Sequence, residues 1–398
     1  MLVIYFTMTR SPMLTLIISI IFLISSSSIC NAGSPAVFIL GDSLLDVGTN
    51  NFILKAIGKA KFPHYGIDFF NSTPSGRFSN GLNVADFIAR VVFGDSVTSP
   101  PAYLSLFYGG KYSEKRLAKA IDDFIPRRRW RAPNGLNPVS LVTQENPAVG
   151  INFASSGTAI LDINSAVDQA LALSEQVSQV IFVHGNLTAT IGAWRTQLLF
   201  AKSPFFLGVG NNDVHFFALF RAKLDPDKYI DSLVQTYNNT LTSLYNIGVR
   251  KFGIVSVPYI GCSPLMRVTI LGGNCSKTAN DLAQQLNDKL EQLLWDMMHY
   301  LKGMIYSFGN TYDILVDLYE NPQRYNIKNV RDACCGLGRF HAMTNCHPLA
   351  VLCKNRDEYL FWDVSHPSQY AARIMVETVA FGNMTHARPI NWSKLASL

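Results

Sequence analysis

Short apolar runs alternate along this chain with longer stretches that have apolar residues at helical spacing, and this alternation constrains the fold most strongly. The runs that predict buried strands are residues 36–40, 205–209, 251–257 and an apolar run within 305–317. The stretches that predict helices are 82–92, 227–245, 279–300 and 366–381, the last with Pro367 in its first turn. Strands that alternate with helices favour an α/β fold, in which helices cover both faces of a parallel sheet. Because ligands bind such sheets at the carboxyl ends of the strands, polar residues that follow a strand are candidates for a functional site.

The first predicted strand ends in Gly-Asp-Ser-Leu at residues 41–44. A tight turn at this point presents the Ser43 hydroxyl at the edge of the sheet. A serine hydroxyl is a weak nucleophile and needs a neighbouring base to accept its proton. Taken alone, the tetrapeptide is equally compatible with Ser43 as the N-cap of a helix. Ser43 is therefore a candidate nucleophile if the chain also supplies a base.

A candidate base lies near the end of the chain, in Asp-Val-Ser-His at residues 363–366. The three-residue spacing lets the carboxylate of Asp363 and the ring of His366 lie on the same side of a turn. The carboxylate can then orient the imidazole and stabilise its charged form. The alternative is a capping aspartate beside a structural histidine. Among the eight histidines, only His366 combines an acid three residues earlier with a predicted helix that starts at a proline.

Two further blocks contain groups that can donate hydrogen bonds to a developing oxyanion. Gly-Asn-Asn-Asp at residues 210–213 follows the strand predicted at 205–209, and an asparagine amide there is one such donor. Asn-Phe-Ala-Ser-Ser-Gly at residues 152–157 supplies a glycine whose backbone N–H is a second. The alternatives are a capping role for Asp213 and a plain turn at Gly157.

These four blocks, in this order, resemble the GDSL esterase/lipase family of plants, a branch of the SGNH hydrolases. The first block, Phe-Ile-Leu-Gly-Asp-Ser-Leu-Leu-Asp-Val-Gly-Thr-Asn-Asn at 38–51, resembles the family almost throughout. Gly-Arg-Phe-Ser-Asn-Gly at 76–81, Ala-Cys-Cys-Gly at 333–336 and Phe-Trp-Asp-Val-Ser-His-Pro at 361–367 are similar to further stretches of that family. The resemblance covers nearly all of the chain from about residue 37 to residue 381.

The resemblance implies a three-layer α/β/α sandwich with a mostly parallel, flavodoxin-like sheet. It also implies a carboxylic ester hydrolase that uses no metal or cofactor. By position, Ser43 matches the nucleophile of the family, and Asp363 and His366 match its remaining triad members. Gly157 and Asn212 match its oxyanion donors, together with the backbone N–H of Ser43. The expected reaction is hydrolysis through an acyl-enzyme on Ser43.

Two alternatives remain open, and the chain departs from the family pattern at two places. An extracellular acyltransferase would pass the acyl group to a hydroxyl of a growing polymer such as cutin, and a binding protein on the same fold would be inactive. The family usually has Gly-Gly where this chain has Ser156-Gly157, and the added side chain affects the loop or the acyl pocket. The segment 107–149 is longer than usual and is interpreted as an atypical surface insertion.

The N-terminus has the layout of a secretory signal peptide. An apolar run of residues 13–24 is followed by a serine-rich stretch and by small residues that end at Ala32. We therefore expect residues 1–32 to be the signal peptide and residues 33–398 to form a single domain. The alternative is an uncleaved anchor helix, for which the run is short. Six cysteines follow residue 32, an even number that favours disulfides in a secreted chain but leaves their pairing open, with free thiols or a metal site as alternatives.

The remaining features bear on localisation and partners. Six glycosylation sequons follow the leader, which fits a secreted, extracellular protein of the cell wall; they start at Asn71, Asn186, Asn238, Asn274, Asn383 and Asn391. The formal net charge is +6, and the only basic cluster is at residues 127–131. A surface loop or a contact with an acidic polysaccharide explains this cluster better than nucleic acid does. We expect a small-molecule, lipid or polysaccharide ester as substrate, no nucleic-acid partner and no integral membrane span.

Overall fold

A six-stranded sheet lies at the centre of the computed structural model, which describes residues 36–108, 150–221 and 223–398. The strands of the described residues are β1 (Val37–Gly41), β2 (Gly150–Asn152), β3 (Pro204–Gly208), β4 (Lys251–Val255), β5 (Ile305–Gly309), β6 (Asn329–Ala333), β7 (Cys335–Gly336), β8 (Val351–Leu352), β9 (Tyr359–Phe361) and β10 (Ala387–Arg388). The central sheet has the order β10-β5-β4-β3-β1-β2. Neighbouring strands are parallel except β10, which pairs antiparallel with β5. The order 2-1-3-4-5 is flavodoxin-like and confirms the predicted α/β class.

Helices cover both faces of this sheet. They are α1 (Val84–Phe93), α2 (Ser105–Tyr108), α3 (Asp162–Ser165), α4 (Leu173–Ile191), α5 (Ala193–Lys202), α6 (Asn211–Phe216), α7 (Pro226–Asn246), α8 (Pro264–Val268), α9 (Lys277–Tyr300), α10 (Thr311–Glu320), α11 (Gln369–Phe381) and α12 (Trp392–Ser397). Successive residues of a strand point to opposite faces. Phe38 and Leu40 of β1 accordingly pack in one core with α4, α5, α7 and α9. Val37 and Ile39 pack in a second core with α1, α10, α11 and α12, which completes the three-layer sandwich.

The structure corrects the predicted start of the helix at 366–381. Helix α11 begins at Gln369, and the Ser368 hydroxyl caps it by accepting the N–H of Ala371. Pro367 lies before the cap and forms an isolated antiparallel bridge with Phe361. The expectation of Pro367 in the first turn was wrong because the serine N-cap directly before Gln369 determines where the helix begins.

The strand predicted within 305–317 is confirmed as β5, whereas strand β2 of the sheet was missed. Within 305–317 only β5 is a strand, because the Asn310 side chain accepts the N–H of Asp313 and starts α10. Strand β2 was not predicted as a strand at all. It has three residues, too few to show a pattern, and it depends on pairing with the already buried β1.

A smaller region of short strands follows α10. Strand β6 pairs with β9, and β7 pairs with β8, each pair as a separate two-stranded sheet. Two disulfides, Cys334–Cys353 and Cys335–Cys346, cross-link this region, and Cys262–Cys275 closes a loop before α9. The six cysteines that follow residue 32 are thus all paired, as the even number indicated.

Three interpretations fall on residues outside the described ranges. These are the signal peptide at 1–32, most of the insertion at 107–149 and the basic cluster at 127–131. Of the insertion, only residues 107 and 108 are described, at the end of α2.

Candidate active site

Ser43 lies in the turn that directly follows β1, at the point where the order of the sheet reverses between β1 and β3. Gly41 makes this turn possible because its φ is +153° and an added Cβ would lie 2.3 Å from the carbonyl oxygen of Gly208 on β3. The N–H of Asp42 donates to the same carbonyl at 3.0 Å. Sites in doubly wound sheets form at this switch point, so the backbone places Ser43 where a substrate can reach it.

The structure brings the predicted nucleophile and base into contact. The Oγ of Ser43 lies 2.7 Å from Nε2 of His366. On the other side of the ring, Nδ1 of His366 lies 2.7 Å and 2.9 Å from the two carboxylate oxygens of Asp363. Ser43 and His366 are 323 residues apart in the sequence, yet with Asp363 they form one continuous set of hydrogen bonds. Such a set can move a proton from the serine to the imidazole.

Asp363 is buried and stays ionised beside the imidazole. Burial by itself raises the pKa of this carboxyl, but the His366 ring and the backbone N–H groups of Ser365 and His366 lower it below its ordinary value. The Oδ2 atom also accepts a hydrogen bond of 2.8 Å from the Tyr65 hydroxyl. Burial and the neighbouring carboxylate raise the pKa of Tyr65, so the phenol keeps its proton and remains a donor.

An aromatic cluster packs around this acid–base pair. The Phe78 ring lies 4.7 Å from the His366 ring, centroid to centroid. Tyr65 packs edge-on against both Phe78 and Trp362. The same cluster contains the four cysteines of the two disulfides in the small region, so covalent links support the loop that bears His366.

The block at 210–213 meets the Ser43 turn through side-chain contacts. The Nδ2 atom of Asn211 donates to Oδ2 of Asp42 at 2.7 Å. Next to it, Nδ2 of Asn212 donates to the carbonyl of Thr158 at 2.8 Å. Asp213 accepts the backbone N–H groups of residues 160 and 161 and thereby ties the two predicted donor blocks together.

Gly157 lies in the neighbouring loop with a left-handed φ of +89°. An added Cβ there would lie 2.7 Å from the Cβ of Asp168, so only glycine fits. The loop contacts the end of β1 because the N–H of Ser155 donates to the carbonyl of Gly41 at 3.0 Å. Gly157 is not among the residues that line the cleft at Ser43, whereas Asn212 is. Ser156, the departure from the family pattern, also lies away from the cleft lining.

The cleft at Ser43 is lined by both apolar and polar residues. Its apolar lining consists of Leu44, Pro258, Ile260, Leu315, Phe361, Pro367 and Met375. Its polar lining consists of Ser43, Asn211, Asn212, His215, Ser365 and His366. Such a lining suits an acyl or alcohol chain whose reacting carbonyl lies beside the serine.

Three residues of the site were not predicted from the sequence. Tyr65 stands alone between the predicted elements and is 298 residues from Asp363, so no local pattern connects the two. Asn211 was inside a block that was recognised, but only Asn212 was assigned a role. His215 follows Asn211 by four residues, a spacing that places both on one face of α6, and this spacing is a signal that could have been used.

The candidate active site also contains buried carboxylates near Ser43. Burial raises the pKa of Asp42, Asp46 and Asp213 to about 6 in each case, against hydrogen bonds that lower it. Within the described ranges, no group of three or more His, Cys, Asp or Glu side chains has a metal-binding arrangement. No helix in this part of the chain is long and apolar enough to cross a bilayer.

A hydrogen-bonded Ser–His–Asp set is an arrangement that cleaves acyl bonds through a serine nucleophile, and here it lies at the switch point of a flavodoxin-like sheet. The sequence comparisons identify which class of hydrolase this is. The model of the GDSL-like lipase/acylhydrolase family matches residues 91–379. The chain therefore belongs to this family, and it is a carboxylic ester hydrolase.

Curated relatives extend the similarity over nearly the whole chain. GDSL esterase/lipase At5g55050 of Arabidopsis thaliana is 34% identical over 92% of this chain and 91% of its own length. GDSL esterase/lipase At1g71250 of the same plant is 31% identical over 92% and 89%. GDSL esterase/lipase 6 is 30% identical over 98% and 99%. These coverages confirm the resemblance that the sequence blocks indicated, including the three-layer fold.

Proposed function

We propose that this protein hydrolyses carboxylic esters through an acyl-enzyme formed on Ser43. The observation that carries the proposal is the 2.7 Å contact between Oγ of Ser43 and Nε2 of His366, whose other nitrogen contacts the ionised Asp363. This geometry is the one that activates a serine hydroxyl toward an ester carbonyl.

In the proposed mechanism, His366 first accepts the Ser43 proton while Oγ forms a bond to the ester carbonyl carbon. The carbonyl oxygen becomes an oxyanion, and His366 then protonates the leaving alcohol as the C–O bond breaks. Water next attacks the acyl-enzyme and gives a proton to His366, which passes it to Oγ of Ser43 as the bond between Oγ and the acyl carbon breaks and the acid leaves. Asp363 orients the ring and stabilises its charged form throughout.

The proposed oxyanion donors are the backbone N–H groups of Ser43 and Gly157 and the side-chain amide of Asn212. One amide hydrogen of Asn212 is directed at the Thr158 carbonyl, which fixes the plane of the amide. An NH₂ group has two hydrogens, so the second stays available to an oxyanion in the cleft. Preorganised donors of this kind stabilise the charge that develops in the transition state.

The test is hydrolysis of p-nitrophenyl acetate, butyrate and palmitate by the wild type and by Ser43→Ala. We expect kcat to fall at least about 10⁴-fold in Ser43→Ala, because the nucleophile is lost. Ser178→Ala is a matched control, since its hydroxyl is exposed on α4 and contacts only the Ser174 carbonyl. Near-full activity in Ser43→Ala would overturn the proposal, and product analysis with an added alcohol distinguishes hydrolysis from acyl transfer.

We also propose that the protein is secreted, with residues 1–32 removed and residues 33–398 forming one domain. Three disulfides support this proposal, because disulfides form and persist in oxidising environments outside the cytosol. The first and last strands of the described chain, β1 and β10, share one sheet, which supports a single domain. Among the proposed glycosylation sites, Asn71, Asn274 and Asn383 are exposed, and the other three are half-buried.

Expression of the full chain in plant cells tests the proposed secretion. We expect the extracellular protein to begin at residue 33 and to lose mass on treatment with a peptide N-glycosidase. A cell-retained protein with an intact N-terminus would contradict secretion.

A further inference from the structure

Two polar atoms beside the proposed nucleophile have no hydrogen-bond partner among the residues that the structure describes. They are Oδ1 of Asn211 and Nε2 of His215, and both are shielded from solvent by the protein. Both residues line the cleft that contains Ser43 and His366. Buried polar atoms are nearly always paired in native proteins, so an unpaired set in a substrate cleft indicates a group that a ligand supplies.

The orientation of the Asn211 side chain follows from its neighbour. Its Nδ2 donates to Oδ2 of Asp42 at 2.7 Å, and an ionised carboxylate accepts but cannot donate. The amide nitrogen therefore faces Asp42, and the other end of the amide is a carbonyl oxygen that requires a donor.

His215 supplies the complementary group. Burial and the nearby His366 lower the pKa of His215 to about 4, so the ring is neutral near pH 7. A neutral imidazole carries one N–H and one acceptor nitrogen. Because Asn211 and His215 are four residues apart on α6, their side chains lie on the same face of the helix, and both line the same cleft.

A hydroxyl group carries both a donor and an acceptor, which are the groups that these two atoms require. It donates its proton to Oδ1 of Asn211, and its oxygen accepts from the N–H at Nε2 of His215. A methyl group satisfies neither, and a carbonyl satisfies only the histidine. The apolar remainder of the cleft, which includes Ile260, Leu315 and Met375, offers no partner to a hydroxyl.

We infer that Asn211 and His215 form a hydroxyl-binding subsite, so the preferred substrates are esters with a free hydroxyl within a few atoms of the scissile bond. The inference rests on the proposed function of Ser43 and adds its substrate class. The hydroxyl belongs either to the alcohol or to the acid part of the ester, and two substrate pairs distinguish these sources.

The experiment compares kcat/KM for esters in which a hydroxyl is replaced by a methyl group. Ethylene glycol monobutyrate against propyl butyrate tests the alcohol side, and ethyl lactate against ethyl isobutyrate tests the acid side. For one of the pairs we expect the wild type to prefer the hydroxyl ester by about 10-fold, the effect of one net hydrogen bond. His215→Phe keeps an aromatic ring without the nitrogen, and the ratio for that pair should fall to about 1.

Two further variants keep the result interpretable. His215→Gln retains a polar group and should restore part of the preference, which also covers the case in which His215→Phe fails to fold. His184→Phe is the matched control, because His184 packs against Phe200 away from the cleft and should leave the ratio unchanged.

The outcomes separate the inference from the proposed function. Hydrolysis of both members of each pair without preference, or a preference that persists in both His215 variants, would overturn the hydroxyl subsite alone. Failure of the folded wild type to hydrolyse any of these esters and p-nitrophenyl butyrate would overturn the proposed function and the subsite together.

Discussion

Ser43 and Asn212 follow strands of the six-stranded sheet, whereas Asp363 and His366 lie on a loop after β9, a strand of three residues. Strands β1 and β3 are buried over their full length between two helical layers. The loop of the proposed base instead contacts a small region whose strands have two to five residues, where two disulfides and an aromatic cluster supply the support. Backbone pairing thus positions the proposed nucleophile, and side chains and cross-links position the proposed base.

The two regions also differ in electrostatics. The buried carboxylates near the nucleophile, Asp42, Asp46 and Asp213, accept neutral donors, and burial raises their pKa to about 6. Asp363 in the other region faces His366, and its pKa lies below the ordinary value. Of these four carboxylates, Asp363 alone has a lowered pKa and is stabilised in its charged form, which agrees with the role proposed for it.

The largest expected effect is on catalysis and comes from Asp363→Asn in the loop region. The amide keeps the shape of the side chain but cannot stabilise a charged His366 or select its reactive tautomer. We expect kcat for p-nitrophenyl butyrate to fall by about 10⁴-fold. A loss of less than 10-fold would mean that the loop contributes structure rather than catalysis.

A smaller effect is expected at Asp42, measured as stability against pH. With a pKa of about 6 when folded and 3.8 when unfolded, the folded carboxyl retains a proton that the unfolded one has lost. Stability from this group is therefore present below about pH 4 and lost as the pH rises to about 6. The pH dependence is opposite for Asp363. Because its pKa is lowered in the folded protein, its contribution to stability is lost as the pH falls.

Asp42→Asn removes this dependence. The free energy of unfolding of the variant relative to the wild type should rise by about 2 kcal/mol from pH 4 to pH 6, measured by denaturant titration. A difference that does not change with pH would contradict the assignment.

The smallest effect is expected from Tyr65→Phe, which removes one donor from Asp363. We expect kcat to fall by about 10-fold while KM stays nearly constant, because the hydrogen bond acts on the charged triad and not on substrate binding. Tyr237→Phe is the matched control, since Tyr237 is also buried but its hydroxyl makes no hydrogen bond among the described residues. Equal effects of the two substitutions would show that Tyr65 matters only for packing.

The sequence predicted the sheet region better than the loop region, for physical reasons. The buried strands are continuous apolar runs, and Ser43 and Asn212 follow them directly, so local patterns located both. The start of α11 was misplaced because Pro367 and Ser368 both suit a helix start, and the choice depends on the pairing of Pro367 with Phe361. The contact of Tyr65 with Asp363 joins distant parts of the chain, and no local signal encodes it. The paired cysteines are only 11 to 19 residues apart, but an even number of cysteines does not specify which of them pair.

The central claim is that the loop of Asp363 and His366 activates Ser43 on the sheet, and covalent labelling tests it most directly. The folded protein is treated with a fluorophosphonate, and the modified residue is located by peptide mass spectrometry. The account predicts one adduct, on Ser43, which is absent in Ser43→Ala and forms at least about 100-fold more slowly in His366→Ala. An adduct on another residue, or an undiminished rate in His366→Ala, would contradict it.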